Sequence, residues 1–574
     1  MESIKTKTAP SPWWRETSIY QIYPRSFAGT GNSTGNLKGI IKKLDYIKSL
    51  GIETIWLSPI YPSPQADFGY DITDYRGINP EYGTMDDFQE LLREIHDRGM
   101  KLLMDMVLNH TSNEHPWFIE SSSSKKNSKR DWYVWRDGKK TTRNNPGGRK
   151  PPNNWKSQVS GSGWQKDKTT NQWYWASFLP FQPDLNWRNE EVRIEMFQTL
   201  RFWLDRGVDG FRLDILGSVY EDPLFRDNPR SLHYLPSKDG KSFLFQTKLY
   251  TENHMDNFAL AKDLRQIVDS YTDSPRMLIG EVFGEPEVIR KFCGESKQDG
   301  LNSVFLFKAP ESPFAVKPLK KILYQTETTF PDPWIPTLAF SNHDRIRRVS
   351  ALNGNENLYK MSLLFQATAR GIPCFYFGEE IGQPQAYINH KDSLDAVCAP
   401  FKKLPPFIFR RINRRFHSAI HRDECRTPMH WSPNPNGGFC PEAVTPWLPL
   451  QKDYPEINVE NQEEELDSLL HWFQKLMEIR KATPSLYRGE IEIIEASHNC
   501  KKLPKRLLAY RKIDPASGSI TAVYLNFSKN TEDTGVEVDS CIEIFSTNRI
   551  QEKNSTKEKT IKIPPQSGLI VKFL

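Results

Sequence analysis

The sequence is poor in the features that mark disulfide-built, membrane-spanning or nucleic-acid-binding proteins. Only 7 of its 574 residues are cysteine, at 293, 374, 398, 425, 440, 500 and 541, with no CxxC pair among them. An odd, scattered set of this kind makes neither a zinc site nor a disulfide framework. No apolar run approaches the roughly 20 residues needed to cross a bilayer, so no membrane partner is expected. The opening run, MESIKTKTAP, holds no apolar core. A secretory leader is therefore not expected, and the expectation is a cytoplasmic, reducing setting. Charge of one sign is lacking too: 77 Lys and Arg face 71 Asp and Glu, a formal net charge of +6. That balance gives no electrostatic case for nucleic acid.

Aromatic residues are plentiful, at 12% of the chain with 16 Trp. Such a content serves either a large core or a ligand with flat apolar faces. Length favours two or three domains, or one large α/β barrel carrying insertions.

Strand and helix patterns alternate from the start. Residues 17–27 and 52–58 are β-branched and aromatic, and 101–108 (KLLMDMVL) follows the same pattern. Between them, 37–50 carries Ile40, Leu44 and Ile47 at helical spacing. A second helix opens at Thr84, with Asp87 three residues on as in a capping box. The alternation breaks over 111–187, a stretch rich in Ser, Asn, Lys, Gly, Pro and Trp. That is too long for a plain loop, so it reads as an inserted subdomain; its basic run, 139–150, reads as a solvated loop. The rhythm resumes with helices at 190–206, 257–271, 359–370 and 464–481, and strands at 208–214, 276–281, 301–307, 334–340 and 373–377. About eight strands in βα order predict a closed (β/α)8 barrel. After 485 short alternating segments predict a small antiparallel β domain. The expected organisation is a barrel over 1–110 and 188–485, an insert over 111–187 and a β domain over 486–574.

In such a barrel the chemistry sits at the C-terminal strand ends. These ends deliver Asp105 with Asn109 and His110, then Arg212 and Asp214, then Glu281, then Asn342, His343 and Asp344. A carboxylate at any one of them is most simply a cap or a solvated group, but four at matching strand ends point to a site. Metal-assisted hydrolysis would favour His ligands at HxH or HExxH spacing, and neither occurs. Cys374, inside an apolar strand, reads as core. Glycoside hydrolysis needs two carboxylates, one ionised and one carrying a proton. Arg212, two residues from Asp214, favours the ionised form there. This chemistry also suits the aromatic content, because sugars present flat C–H faces to rings.

The motifs 69–75 (GYDITDY), 105–110 (DMVLNH), 182–186 (QPDLN), 210–214 (GFRLD), 280–283 (GEVF), 341–344 (SNHD) and 422–431 (RDECRTPMHW) stand in one order. Together they resemble glycoside hydrolase family 13, the α-amylase family, and within it the α-glucosidase and oligo-1,6-glucosidase group. The resemblance implies a barrel with an inserted B subdomain and a C-terminal β domain. It implies Asp214 as nucleophile, Glu281 as general acid and base, and Asp344 as a hydroxyl ligand that strengthens in the transition state. Retention would follow, with the Asp214 and Glu281 carboxyls about 5–5.5 Å apart. His110, Arg212 and His343 match positions that bind hydroxyls or the nucleophile, Tyr70 an aromatic platform and Phe178 an aromatic wall. Asp67 and Arg422 match a pair that clamps the 4-hydroxyl of a terminal glucose, which implies action from chain ends; Arg426 is left as structural.

Several residues depart from the pattern. The run 28–36 (AGTGNSTGN), where the group often carries a calcium loop, has no carboxylate, and calcium favours anionic oxygens. No metal and no cofactor are therefore expected. Ile215, after the nucleophile position, tilts toward α-1,6 linkages. Arg345, Ile346, Arg347 and Phe377 replace the residues usual there, and 382–421 is long and basic. The resemblance thus implies an exo-acting α-glucosidase acting on α-glucoside oligosaccharides. The same machinery also fits a glucosyl transferase or isomerase of the trehalose synthase or sucrose isomerase type. An inactive binding module is the remote alternative, disfavoured because all three carboxylates are present.

Overall fold

The computed structural model describes residues 11–140, 149–159, 161–234, 237, 241–415, 420–496, 503–537, 540–547 and 560–574. Eight parallel strands form its centre: β1 (Ile19–Ile22), β2 (Thr54–Leu57), β3 (Lys101–Met106), β4 (Gly210–Leu213), β5 (Met277–Gly280), β6 (Ser303–Val304), β7 (Thr337–Leu338) and β8 (Ile372–Tyr376). The order β6-β5-β4-β3-β2-β1-β8-β7 closes through a parallel bridge from Phe305 to Thr337. The Ser303 and Thr337 hydroxyls, 2.7 Å apart, reinforce that seam. This is the (β/α)8 barrel that the strand–helix rhythm predicts. Its interior is filled by Ile19, Trp56, Leu103, Met277, Ile279, Phe305, Ile372 and Cys374, all buried, so Cys374 is core as expected.

One surrounding helix, Glu356–Thr368, is buried throughout from Met361 to Thr368; others bury one face. In the helix Met85–Asp97, Phe88, Leu91, Leu92 and Ile95 are buried, and Thr84 and Asp87 form the predicted capping box. Each such side chain contributes about 1.5–3 kcal/mol relative to exposure. Close strand packing sets one backbone requirement. Gly210 opens β4 at φ +153°, and a Cβ there would lie 1.9 Å from the Met277 carbonyl oxygen.

Some predicted boundaries move. The helix expected over 37–50 breaks at Lys43 into Leu37–Lys42 and Leu44–Ser49. The expectation of one helix over 464–481 is corrected: Val459–Glu464 ends, and a new helix, Leu469–Ala482, starts from the Ser468 cap. Leu466, counted on the apolar face, lies between them and is 85% exposed. The strands expected over 301–307 and 334–340 shrink to two residues each. The 382–421 stretch includes a helix, Pro406–Arg415.

Within 111–187, Trp155, Trp164 and Trp175 pack with Val134 as a small buried core, and Trp132 and Trp135 join the main one. Of the basic run, Lys139–Lys140 pairs with Arg149–Lys150, and 141–148 lies outside the described residues. Toward the C-terminus β9 (Glu490–Ile493), β10 (Leu507–Ile513), β11 (Ile520–Asn526), β12 (Glu532–Glu537), β13 (Cys541–Ser546), β14 (Thr560–Ile563) and β15 (Ser567–Phe573) follow. They form an antiparallel sheet in the order β9-β10-β11-β15-β13 and a β12–β14 pair. Leu508, Tyr510, Val523 and Ile570 of this sheet share the barrel's hydrophobic core. Among the described residues, no helix is long and apolar enough to cross a membrane.

Candidate active site

The ladder runs one residue past the ends of β4 and β5 and so fixes the Asp214 and Glu281 carboxylates, beside Asp105 near the end of β3. Asp214 N donates to Met106 O at 3.0 Å and Glu281 N to Leu213 O at 2.8 Å. Asp105, Asp214 and Glu281 therefore project from neighbouring strand ends. Arg212, buried on β4, gathers all three: Nη1 lies 2.8 Å from Asp214 Oδ1 and 2.8 Å from Asp105 Oδ1, and Nη2 binds Glu281 Oε2.

One guanidinium does not neutralise three buried acids. Burial, with the charges of Glu281 and Asp105, pushes the Asp214 carboxyl well above its ordinary range despite Arg212. Burial likewise lifts Asp105 to about 6, against the pull of Arg212. Arg212 does favour the ionised form of Asp214, as expected, but burial and the two neighbouring acids outweigh it. The chain strains as it leaves this point: Ile215 has φ +32° and ψ +42°, a left-handed conformation that β-branched residues rarely adopt.

Tyr70 and His343 form the next layer. The Tyr70 hydroxyl is 3.1 Å from Asp105 Oδ2 and 2.8 Å from His343 Nε2. His343 Nδ1 lies 2.7 Å from Gln21 Nε2. With Gln21 donating there, the ring proton sits on Nε2, which faces Asp344 Oδ2 at 3.2 Å. Burial pushes His343 and His110 down to about 3, so both rings are neutral near pH 7. The His110 ring lies parallel to Phe178 at 6.4 Å.

A second arginine group stands beside the first. Arg422 Nη2 is 2.7 Å from Asp67 Oδ1, and Nη1 is 3.3 Å from Asp344 Oδ1. Arg426 Nη2 holds the same Asp344 oxygen at 2.6 Å. Burial would raise Asp344, but His343, Arg422 and Arg426 overcome it and hold the carboxyl well below the usual range. Gln182 Nε2, from the 182–186 motif, steadies Asp67 Oδ2 at 3.0 Å.

These groups open on one cavity of about 320 Å³, lined by Asp67, Tyr70, His110, Phe178, Asp214, Glu281, Asp344 and Arg422, with Ile215, Phe283 and Arg345. A family model of the α-amylase catalytic domain matches residues 21–489. The chain belongs to the α-amylase family, glycoside hydrolase family 13. The oligo-1,6-glucosidase of Heyndrickxia coagulans is 38% identical over 544 residues, which cover 90% of this chain and 93% of that protein. A crystal structure of the α-glucosyl transfer enzyme XgtA is similar at a TM-score of 0.85 and 32% identity, covering 98% of this chain and 100% of that one. The trehalulose synthase MutB from Pseudomonas mesoacidophila MX-45 follows at a TM-score of 0.84 and 29% identity, covering 99% and 100%.

Eight of the ten residues that family resemblance singles out line the cavity. Arg212 and His343 lie behind it, 2% and 1% exposed at the side chain, and act on the lining groups. Sequence reasoning missed several neighbours. Arg426, left as structural, holds Asp344; its place four residues after Arg422 within the 422–431 motif was the available clue. Asp105 was seen at a strand end but given no role, although it shares Arg212. Asp395, in the irregular part of 382–421, gave no periodic signal at all. No tryptophan lines the cavity among the described residues.

Proposed function

We propose that the protein is a retaining, exo-acting α-glucosidase that removes terminal glucose from short α-1,4- or α-1,6-linked oligosaccharides. The observation that carries this reading is the single Arg212 guanidinium bound to both Asp214 and Glu281. A guanidinium shared in this way favours a close pair over the roughly 6.5–9.5 Å gap that an inverting pair needs for its water. Asp214 attacks the anomeric carbon as the glycosidic C–O bond breaks. Glu281 gives its proton to the leaving oxygen, and the aglycone departs. Water then attacks the same carbon, passes a proton back to Glu281, and Asp214 leaves as carboxylate. Asp344 binds the sugar hydroxyls, Tyr70 and Phe178 face its ring, and the Asp67–Arg422 pair takes the 4-hydroxyl.

A second reading, glucosyl transfer or isomerisation, is favoured by the aromatic rim. Phe283, two residues after Glu281, stacks on Phe307 at 5.3 Å, and the Arg345 guanidinium lies 5.1 Å from the Phe307 centroid. A face of this kind can hold an acceptor sugar long enough to compete with water. Separate incubations with maltose, isomaltose, sucrose and trehalose test both readings. Glucose release, with sucrose also yielding fructose, supports the hydrolase, and new disaccharides support transfer. Folded protein acting on none of the four would overturn both.

A further inference from the structure

Arg422 is held by more than Asp67. Its Nε and Nη2 reach Asp395 at 2.9 and 2.7 Å, and its backbone N reaches the same carboxylate at 3.0 Å. Asp395 is 1% exposed and does not line the cavity. Its own position is fixed from both sides. Asp423 Oδ2 accepts from Ser393 Oγ at 2.9 Å and Leu394 N at 2.6 Å, and Asp395 Oδ1 accepts from Val397 N at 3.0 Å. Val397 lines the cavity wall, so this one carboxylate bonds both the clamp arginine and a wall segment.

A guanidinium is a planar fork, and filling one edge with two parallel bonds fixes the direction of what remains. Here Asp395 occupies the Nε–Nη2 edge, and the other Nη2 hydrogen is left to meet Asp67. Without it, Arg422 is free to turn toward Asp344, whose Oδ1 is already 3.3 Å from Nη1. Burial pushes the Asp395 carboxyl up, yet Arg422 and Arg426 bring it below its ordinary range, as befits an acid ionised against a fixed partner.

We propose that Asp395 is a positioning residue that aims Arg422 at Asp67 and thereby sets selection for the free 4-hydroxyl of a terminal glucose. The inference rests on the reading of Asp67 and Arg422 as the 4-hydroxyl clamp. It adds a residue that touches neither sugar nor reacting atoms.

The test compares p-nitrophenyl α-glucoside with its 4-deoxy analogue in wild type, Arg422→Ala, Asp395→Asn, Asp395→Ser and Asp395→Glu. Wild type is expected to favour the parent by about 100-fold or more in kcat/KM, as a site built to bond a hydroxyl does. The Asn and Ser variants are expected to cut that ratio at least about tenfold, with KM for the parent raised and kcat little changed, as for lost uniform binding. Asp395→Glu, which keeps the charge, recovers part of the ratio. A general folding defect lowers both substrates alike and leaves the ratio where it was, so a folded Asn or Ser variant isolates the effect. The inference is overturned if such a variant keeps the wild-type ratio while Arg422→Ala loses it. If Arg422→Ala keeps full discrimination, or wild type shows none, the clamp reading itself fails.

Discussion

Arg212 Nη1 binds Asp214 Oδ1 at 2.8 Å from only two residues away along β4, while its other arm holds Glu281. The spacing of two places both side chains on the same face of the strand, so local geometry and active chemistry coincide. Lysine presents a point charge and cannot hold three carboxylates in one plane. Arg212→Lys is therefore expected to lower kcat by about 10²–10³-fold, in line with loss of one preorganised electrostatic group. Steady-state kinetics on an aryl α-glucoside, with circular dichroism as a folding control, checks this.

Asp214→Asn is expected to separate activity from stability. If Asp214 is the nucleophile, as proposed, losing its carboxylate should cost on the order of 10⁴–10⁶ in kcat. The Asp214 pKa is raised by burial in the folded state, so keeping it ionised costs stability at every pH above its unfolded value. Asparagine removes that cost. The Tm of the variant at pH 7 is expected to equal or exceed that of wild type, and scanning calorimetry reads the difference. A clearly lower Tm would contradict the charge arrangement described.

The pH profile follows from the same cluster. On the proposed mechanism attack requires ionised Asp214, but Asp214 is raised and Asp105 stands at about 6. As pH falls toward and below about 6 the cluster takes up protons, so kcat/KM is expected to drop on that side. His110 and His343 sit near 3 and stay neutral over this range, so His110→Asn should lower the rate without moving the acid limb. Asp344 has the opposite sign. Its pKa is depressed, so its stabilising contribution is present above the unfolded value of about 4 and is lost as pH falls through the folded one. The Tm gap between wild type and Asp344→Asn should narrow on acidification.

Phe283→Ala tests the acceptor face. If the Phe283–Phe307 stack holds the second sugar, removing it should lower the ratio of transfer products to free glucose at high substrate concentration. Hydrolysis of an aryl glucoside, whose leaving group needs no acceptor sugar, should change much less. Product chromatography measures the first quantity and absorbance the second.

The barrel was legible in the sequence because each strand–helix unit writes its own local pattern: alternating cap, apolar face and buried strand, as at Thr84 and Phe88. The strand ends then located Asp214, Glu281 and Asp344 by simple position, and motif order supplied the proposed sugar-binding set. What the sequence hid was contact between distant, irregular segments. Asp395 meets Arg422 across 27 residues with no periodicity, and nothing local distinguishes it from Asp392. Arg426 was hidden differently, since its motif reads as structural until the fold carries it onto Asp344. The break at 465–468 was missed because Leu466 fits a helical stripe on paper, while the Ser468 cap decides otherwise.

The two arginine groups bring Asp67, Asp105, Asp214, Glu281, Asp344 and Asp395 together around Arg212, Arg422 and Arg426. Four of these acids, Asp67, Asp214, Glu281 and Asp344, line the cavity against two arginines, Arg345 and Arg422. On the proposed function, this acidic surplus favours a sugar ring acquiring positive charge over one that arrives bearing a phosphate. Glucosides phosphorylated on the 6-hydroxyl should therefore be refused at concentrations where the neutral parents are consumed. A cell that imports its sugars by phosphorylation would have to remove that group before this protein acts.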